Sequence, residues 1–516
     1  MKIIIPLWVL CSCLLVAGDP RPGDFEYFDL GFSDGQGYQT EIRAFNPSFS
    51  ESVLITVEAK TGWGTPLHGV FPQNSAAFSL TLPPLASVSM PTMDNMPVPV
   101  HGTMQLNSDG PVVAWSRTTF GDPDRPEKSD TQVFRPADAA PSVAHFNDLS
   151  DASAPQRFPT RVPGLMLPLH EVLVVRNTEA FTSTVAVHGR DALLGHGLPS
   201  TQVEVAPYGS VSLTASQMFP SLASGRASLE VHELQGRVFT AVRREDSRTL
   251  ARAKPAVDES GVLPFANLPF EGFEGYFSFK PLFEVQAAVT GELSLTEPVN
   301  SVPFNLNIDQ PGITRFLPGR SVLNEDEVMG TARFTADEPV TGSFTLFGDG
   351  ARSEIALSDF EGPRAVAYLG KNRHVLSSAR DLLFIENPGE TEERLSIIGL
   401  NRDGALRDLI TGSLVPGQNV WELTGVFGED TELVLIEKID SLNPLKMAYV
   451  ITDQEPGRNV LDSIEVLEID GVWSFNRFLE EVAAWETRDA VCISSANRLL
   501  GLVDMVNHNF TCPNNR

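Results

Sequence analysis

The sequence predicts an all-β protein made of tandem antiparallel β-sandwich units and closed by a small C-terminal module. Three observations lead there. Short stretches of apolar/polar alternation recur along the chain, bounded by Gly, Pro, Asn or Asp. Three sequence landmarks appear four times in the same order. The length of 516 residues exceeds what one core holds and corresponds to about three to five domains.

Hydrophobic residues make up 42% and charged residues 20%, with 40 Gly and 38 Pro, which is a loop-rich globular composition and excludes collagen and general disorder. With 38 Lys and Arg against 66 Asp and Glu, the formal net charge is −28. Such a surface repels phosphate backbones, so nucleic acid is not an expected partner. After the first 18 residues no apolar run is long enough to cross a bilayer as a helix, so no membrane span is expected there.

The first element, residues 1–18, has a secretory signal layout: Lys2, an apolar stretch from Ile3 to Val16, then the small pair Ala17 and Gly18. Asp19-Pro20-Arg21-Pro22-Gly23 breaks the chain at once. Soluble export is the preferred reading. The alternative is a lipid anchor at Cys13, because Leu10-Cys11-Ser12-Cys13 approximates a bacterial lipobox. Removal of the leader leaves Cys492 and Cys512, an even count in an oxidising compartment, which are expected to form a disulfide worth about 3 kcal/mol by loop-closure entropy.

The first landmark is an alternating strand ending in a polar turn: Thr40-Glu41-Ile42-Arg43-Ala44-Phe45-Asn46-Pro47 and Leu382-Leu383-Phe384-Ile385-Glu386-Asn387-Pro388, with weaker copies ending at Asn177-Thr178 and Lys280-Pro281. The second is a proline turn leading into a strand, at Pro83-Pro84, Pro207, Pro311 and Pro416. The third closes the unit at Ser108-Asp109-Gly110-Pro111-Val112, Leu234-Gln235-Gly236-Arg237-Val238, Asp337-Glu338-Pro339-Val340 and Leu442-Asn443-Pro444-Leu445. About seven strands in roughly 90 to 100 residues is the scale of a two-sheet sandwich, and about twice a propeller blade.

The expected organisation is a signal peptide 1–18, repeat 24–120, a Pro- and Asp-rich linker 121–156, repeats 157–250, 261–350 and 363–456, and a disulfide-closed module 457–516. In the last, Ser474 is expected to cap a helix carrying Phe475, Phe478, Leu479 and Val482 on one face. Four sandwiches in series are expected to form a rod unless they pack side by side.

The order of an alternating strand ending Asn-Pro, an L-x-P-x-x-S/T turn and a closing S-D-x-P-V strand resembles the repeat units of bacterial secreted surface proteins, over roughly residues 25–453. Copy one matches best, through Thr40, Asn46, Pro47, Pro84, Ser108, Asp109 and Pro111. Such units are similar to immunoglobulin-like modules used as spacers, adhesive stalks or binding platforms. The resemblance supplies no catalytic residues to transfer.

Among catalytic motifs, neither G-x-S-x-G nor H-E-x-x-H occurs. The nine histidines are scattered, His188 and His196 being the nearest pair, and are read as solvated loop residues. Acidic groups at Glu325-Asp326-Glu327, Glu390-Thr391-Glu392-Glu393, and Asp29 with Asp34 are candidate calcium ligands, although none forms the D-x-D-x-D-G loop. Tyr38, Trp63 and Trp115 are candidates for an aromatic stacking surface. Trp63, in Thr61-Gly62-Trp63-Gly64-Thr65, is the best candidate for an exposed ring, and Trp115 is read as core.

No catalytic, cofactor-binding or metal residue is assigned. The expected role is a non-enzymatic exported surface stalk, scaffold or adhesion protein, with an extracellular protein or glycan as partner. A carbohydrate- or calcium-binding module protein is the alternative, and a secreted hydrolase with a dispersed carboxylate pair the third reading.

Overall fold

A computed structural model describes residues 25–469, apart from internal stretches of which 151–169, 319–327 and 370–379 are the longest. Strands dominate, as expected from the alternation. In Val53–Lys60, for example, Val53, Ile55 and Val57 are buried while Leu54 is exposed. The leader, Cys13, Cys492, Cys512 and the helix expected after Ser474 lie outside the described residues.

The strands form eight antiparallel sheets, two per repeat unit. The front sheet of unit one runs Ser87–Pro91, Tyr38–Phe45, Val113–Asp122, Arg125–Val133; its back sheet runs Ala77–Leu82, Val53–Lys60, Val100–Ser108, Phe25–Phe28. The same strand order recurs. The front sheet of unit two runs Ser210–Leu213, His170–Asn177, Val238–Glu245, Leu250–Ala253, and its back sheet Thr201–Val205, Ser183–Asp191, Arg226–Gln235, Val143–Ser150. In units three and four the front sheets are centred on Phe273–Pro281 with Val340–Gly348 and on Arg380–Asn387 with Leu445–Glu455. Their back sheets are centred on Ala287–Leu295 with Val328–Ala336 and on Glu393–Leu400 with Leu433–Ile439.

Within each unit the two sheets share one apolar layer. Ile42 and Ala44 meet Val53, Ile55 and Val57 in unit one; Leu173 and Val175 meet Val185 and Val187 in unit two. Phe277, Phe279 and Phe344 meet Phe265 and Leu293 in unit three, and Leu383 and Ile385 meet Ile397 and Ile436 in unit four.

The units also pack on one another, back sheet to next front sheet, and unit four returns to unit one. Phe45 and Trp115 of unit one's front sheet belong to the apolar cluster of unit four's back sheet. The four innermost front strands, Arg125–Val133, Leu250–Ala253, Ala351–Ile355 and Arg458–Ile464, run beside one another at the centre. The result is a closed ring of four units, so the expected rod is corrected. The outward face of each front sheet is apolar or charge-matched and seals on its neighbour.

Two boundary expectations are corrected as well. Of the expected linker 121–156, Arg125–Val133 is the inner strand of unit one, Arg135–Pro136 joins its back sheet, and Val143–Ser150 opens unit two. Of the expected C-terminal module, Arg458–Ile464 pairs with Leu445–Glu455 and Leu467–Glu468 joins the back sheet, so both belong to unit four.

The landmarks recur because each makes the same bonds. Asn46 Nδ2 donates to the carbonyls of Glu51, Leu82 and Pro83, Asn177 Nδ2 to those of Phe181, Val205 and Ala206, and Asn387 Nδ2 to those of Thr391 and Leu414. Each ties the end of a front strand to the crossover that follows the outer back strand. In unit three Pro281 pairs with Val340 as Asn177 pairs with Val238. Pro281 therefore occupies the asparagine position, one residue from the alignment read off the sequence. Asp109 and Asp337 act alike too, accepting the Leu54 N–H at 2.7 Å and the Ala288 N–H at 2.6 Å.

Candidate functional site

The second landmark is where one unit holds the next. Three residues after the proline, the N–H of Ser87, Ser210 and Thr314 donates to the carbonyl of Arg402, Gly62 and Ala192, each at 2.9 Å and each in the loop of the preceding unit. In unit four the matching Asn419 instead bonds its own turn, its side chain accepting from Val415 N–H at 3.1 Å and donating to Val415 C=O at 3.0 Å.

A second position repeats with changing chemistry. The last front-strand residue before the landmark asparagine, or its proline equivalent, is Phe45, Arg176, Lys280 or Glu386, and all four are buried against the preceding unit. Each meets a complementary partner. Arg176 donates to the carboxylate and carbonyl of Asp29 and lies 5.1 Å from the centre of the Phe28 ring. Burial pushes its guanidinium down to about 10, against the pull of Asp29. Lys280 Nζ donates to Glu230 Oε1 at 3.1 Å, and burial lowers its ammonium while Glu230 opposes the shift. Glu386 accepts from Thr331 Oγ1 and Arg333 Nε, both at 2.7 Å. Phe45 enters the apolar cluster of unit four. Removing the partner of Arg176, Lys280 or Glu386 strands a buried charge, so wrong pairings of units are penalised.

The expected aromatic surface does not assemble. Tyr38 is buried, 4.8 Å from the Phe120 ring, and Trp115 is fully buried. Trp115 fills the joint with unit four rather than the core of its own unit: its ring lies 6.2 Å from that of Tyr368, and its Nε1 donates to Glu465 C=O at 3.4 Å. Trp63 alone is displayed, at 81% exposure. Its turn is rigid. Thr61 N–H donates to Thr65 C=O at 2.8 Å, Gly64 has φ of 76°, and Gly62 and Gly64 press on the Pro207–Ser210 turn of unit two with no room for a Cβ at Gly64. Beside it, Lys60 Nζ stands 4.2 Å from the centre of the Tyr208 ring, at the same joint.

The acidic candidates scatter. Asp29 is the partner of Arg176 and also accepts the Met104 N–H at 2.7 Å. Asp34 is buried on a back-sheet strand, accepts the Asp94 N–H at 3.1 Å, and is raised by burial despite its hydrogen bonds. Glu393 is buried and accepts from Asn443, while Glu390 and Glu392 are exposed. Residues 325–327 are not described. Among the described residues no group of three or more His, Cys, Asp or Glu is placed to hold a metal ion.

Sequence reasoning missed a histidine group. His188 meets not His196 but His232, ring centres 4.9 Å apart and edge to face. His145, Glu230 and His188 stand in one cross-strand row on the back sheet of unit two, the face turned to unit three. A signal was present: each of the three histidines directly follows a buried apolar residue of an alternating strand, Ala144, Val187 or Val231, which places them on the face opposite the core once the strands pair. Among the described residues no helix is long and apolar enough to cross a membrane. No protein-family model matches the chain, and no curated protein matches it either.

Proposed function

We propose that this chain is a non-enzymatic exported scaffold or adhesion protein, a closed platform of four immunoglobulin-like β-sandwich units. The observation that carries the reading is how the buried charged side chains are used. Arg176, Lys280, Glu386, Arg244 and Arg43 each hold one unit to another, so the chemistry of these groups is committed to assembling a rigid body. A ring of this kind presents loops at fixed spacing around its rim, which favours a platform over a stalk.

One observation favours a second reading, glycan binding at the rim. Trp63 offers a flat, solvated ring on a braced turn, and a pre-ordered aromatic binds a sugar face or a peptide with little entropy to lose. Arrays of extracellular glycans and matrix proteins, probed with the purified chain and with Trp63→Ala, test both. Retention of a protein ligand by both forms is the result expected of the scaffold. Glycan binding lost at least about tenfold in the variant supports the second reading, because the substitution at so exposed a site leaves stability within about 0.5 kcal/mol. Turnover of a glycoside, ester or peptide panel above background would overturn the non-enzymatic assignment.

A further inference from the structure

We infer that the joint between units two and three is an acid-sensitive latch, built from His145, His188 and His232 around the Glu230–Lys280 ion pair. The strand Arg226–Gln235 brings Glu230 and His232 to the face turned towards unit three. On one side Val143–Ser150 places His145 opposite Glu230. On the other, Ser183–Asp191 places His188 opposite Glu230 and Arg190 two residues further along the same face. From unit three, Phe273–Pro281 contributes Lys280, whose Nζ lies 3.1 Å from Glu230 Oε1. Two further charged sets share this joint: Arg226, on the same strand as Glu230, pairs with Asp148 at 2.9 Å from Nε to Oδ1, and Arg244 joins Glu171 to Glu354 of unit three at 2.8 and 3.0 Å. The uncharged groups are Asn147, whose Nδ2 donates to Ser278 C=O at 3.0 Å and to Thr341 C=O at 3.2 Å, and Ser278 and Ser343, whose hydroxyls bond at 2.7 Å.

The charge balance depends on the imidazoles. With all three neutral, one carboxylate faces the ammonium of Lys280, and Arg190 adds a more distant positive charge that disfavours the protonated lysine. Burial would raise Glu230, but Lys280 first, then His145 and His232, hold it below the usual carboxylate range. It therefore stays ionised while histidines titrate, in general between about pH 8 and 5. Protonation puts up to three imidazoliums around a carboxylate that already serves Lys280. His232 Nε2, 3.6 Å from Glu230 Oε2, then competes for it. Lys280 is almost fully enclosed and cannot turn to solvent, so the repulsion falls on the contact between the units. Among the described residues, no other joint gathers histidines in this way.

Hydrogen exchange on the full chain at pH 7.5 and 5.5, corrected for intrinsic rates, reads the joint directly. Two reporters are the Thr314 amide, which crosses it to Ala192 C=O, and the amides of Phe273–Pro281. Their protection is expected to fall about tenfold at the lower pH, the scale of one or two added charges at partly screened distances. Amides around Trp115 and Tyr368, at the joint of units four and one, should change far less. The triple variant His145→Gln, His188→Gln, His232→Gln should abolish the difference. Should it fold poorly, the single variant His188→Gln, at an exposed position, should reduce it, and His188→Arg should lower protection already at pH 7.5. Equal protection at both pH values in the native chain, or a pH effect undiminished by these variants, would overturn the latch.

Discussion

The joints that flank unit four differ in kind from those that flank unit two. At unit four, apolar clusters run from one unit into the next: Leu382, Phe384, Ala448 and Val450 join the core of unit three, and Phe45, Trp115 and Val133 join the core of unit four. Around unit two, the clusters stop at the unit's own border, and buried polar pairs such as Arg176–Asp29 and Lys280–Glu230 cross instead. Chain order accounts for the apolar joint of units four and one, though not for that of units three and four, which is tethered and apolar as well. Consecutive units are tethered, so a modest contact suffices at high effective concentration. Unit four meets unit one across more than 300 residues of sequence, as in Arg43 Nη1 donating to Glu432 at 2.6 Å, and that closure rests on contacts alone. Apolar area supplies strength there, while charged pairs, Arg43–Glu432 at this joint included, supply order, because an ion pair rejects the wrong neighbour and an oily face does not.

The comparison breaks most easily at Trp115. Trp115→Ala should cost about 3–5 kcal/mol by cavity formation at the closing joint. Chemical denaturation of the full chain measures it, with protease sensitivity of Tyr368 and its neighbours as the local readout. A loss under about 1 kcal/mol would mean that the ring does not depend on this closure.

At the polar joint, Asp29→Ala should cost about 3 kcal/mol, because it strands the buried guanidinium of Arg176. Replacing both partners, Asp29→Leu with Arg176→Met, should return stability to within about 1 kcal/mol of the native chain and convert this joint to the apolar type. If the single and double variants are equally destabilised, the pair contributes packing rather than charge matching.

The smallest expected effect is at the rim. Gly64→Ala should cost about 1–2 kcal/mol, since φ of 76° and the nearby Pro207 carbonyl leave no place for a methyl group. Differential scanning calorimetry gives the total, and exchange of the Ser210 amide, which bonds Gly62, shows whether the loss falls at this joint.

Much of the fold is legible in the sequence. Alternating segments such as Val53–Lys60 and Ser183–Asp191 are strands where the pattern places them, because one face meets an apolar core and the other does not. The landmark asparagines, aspartates and prolines are legible as a repeat because they recur in one order at near-constant spacing. The exposed position of Trp63 follows from its glycine-flanked turn. The inner strand Arg125–Val133 escaped because it reads RPEKSDTQV and carries no apolar period. Its polar residues are nevertheless enclosed: Ser129 and Thr131 donate to Asp462 of unit four at 3.1 and 2.7 Å. Hydrophobic periodicity reports burial against oil and is silent about burial against a polar neighbour.

Sequence alone determined the class, the fourfold repeat and the turns, because all three arise from local preferences and from patterns of period two. Tertiary structure decided that the repeats close into a ring, that Trp115 belongs to a joint, that Asp29 is an ion-pair partner and that three dispersed histidines share one face. Those outcomes depend on which strand edges and sheet faces meet across hundreds of residues. Side chains at equivalent positions, Phe45, Arg176, Lys280 and Glu386, take their meaning only from the partner brought opposite them.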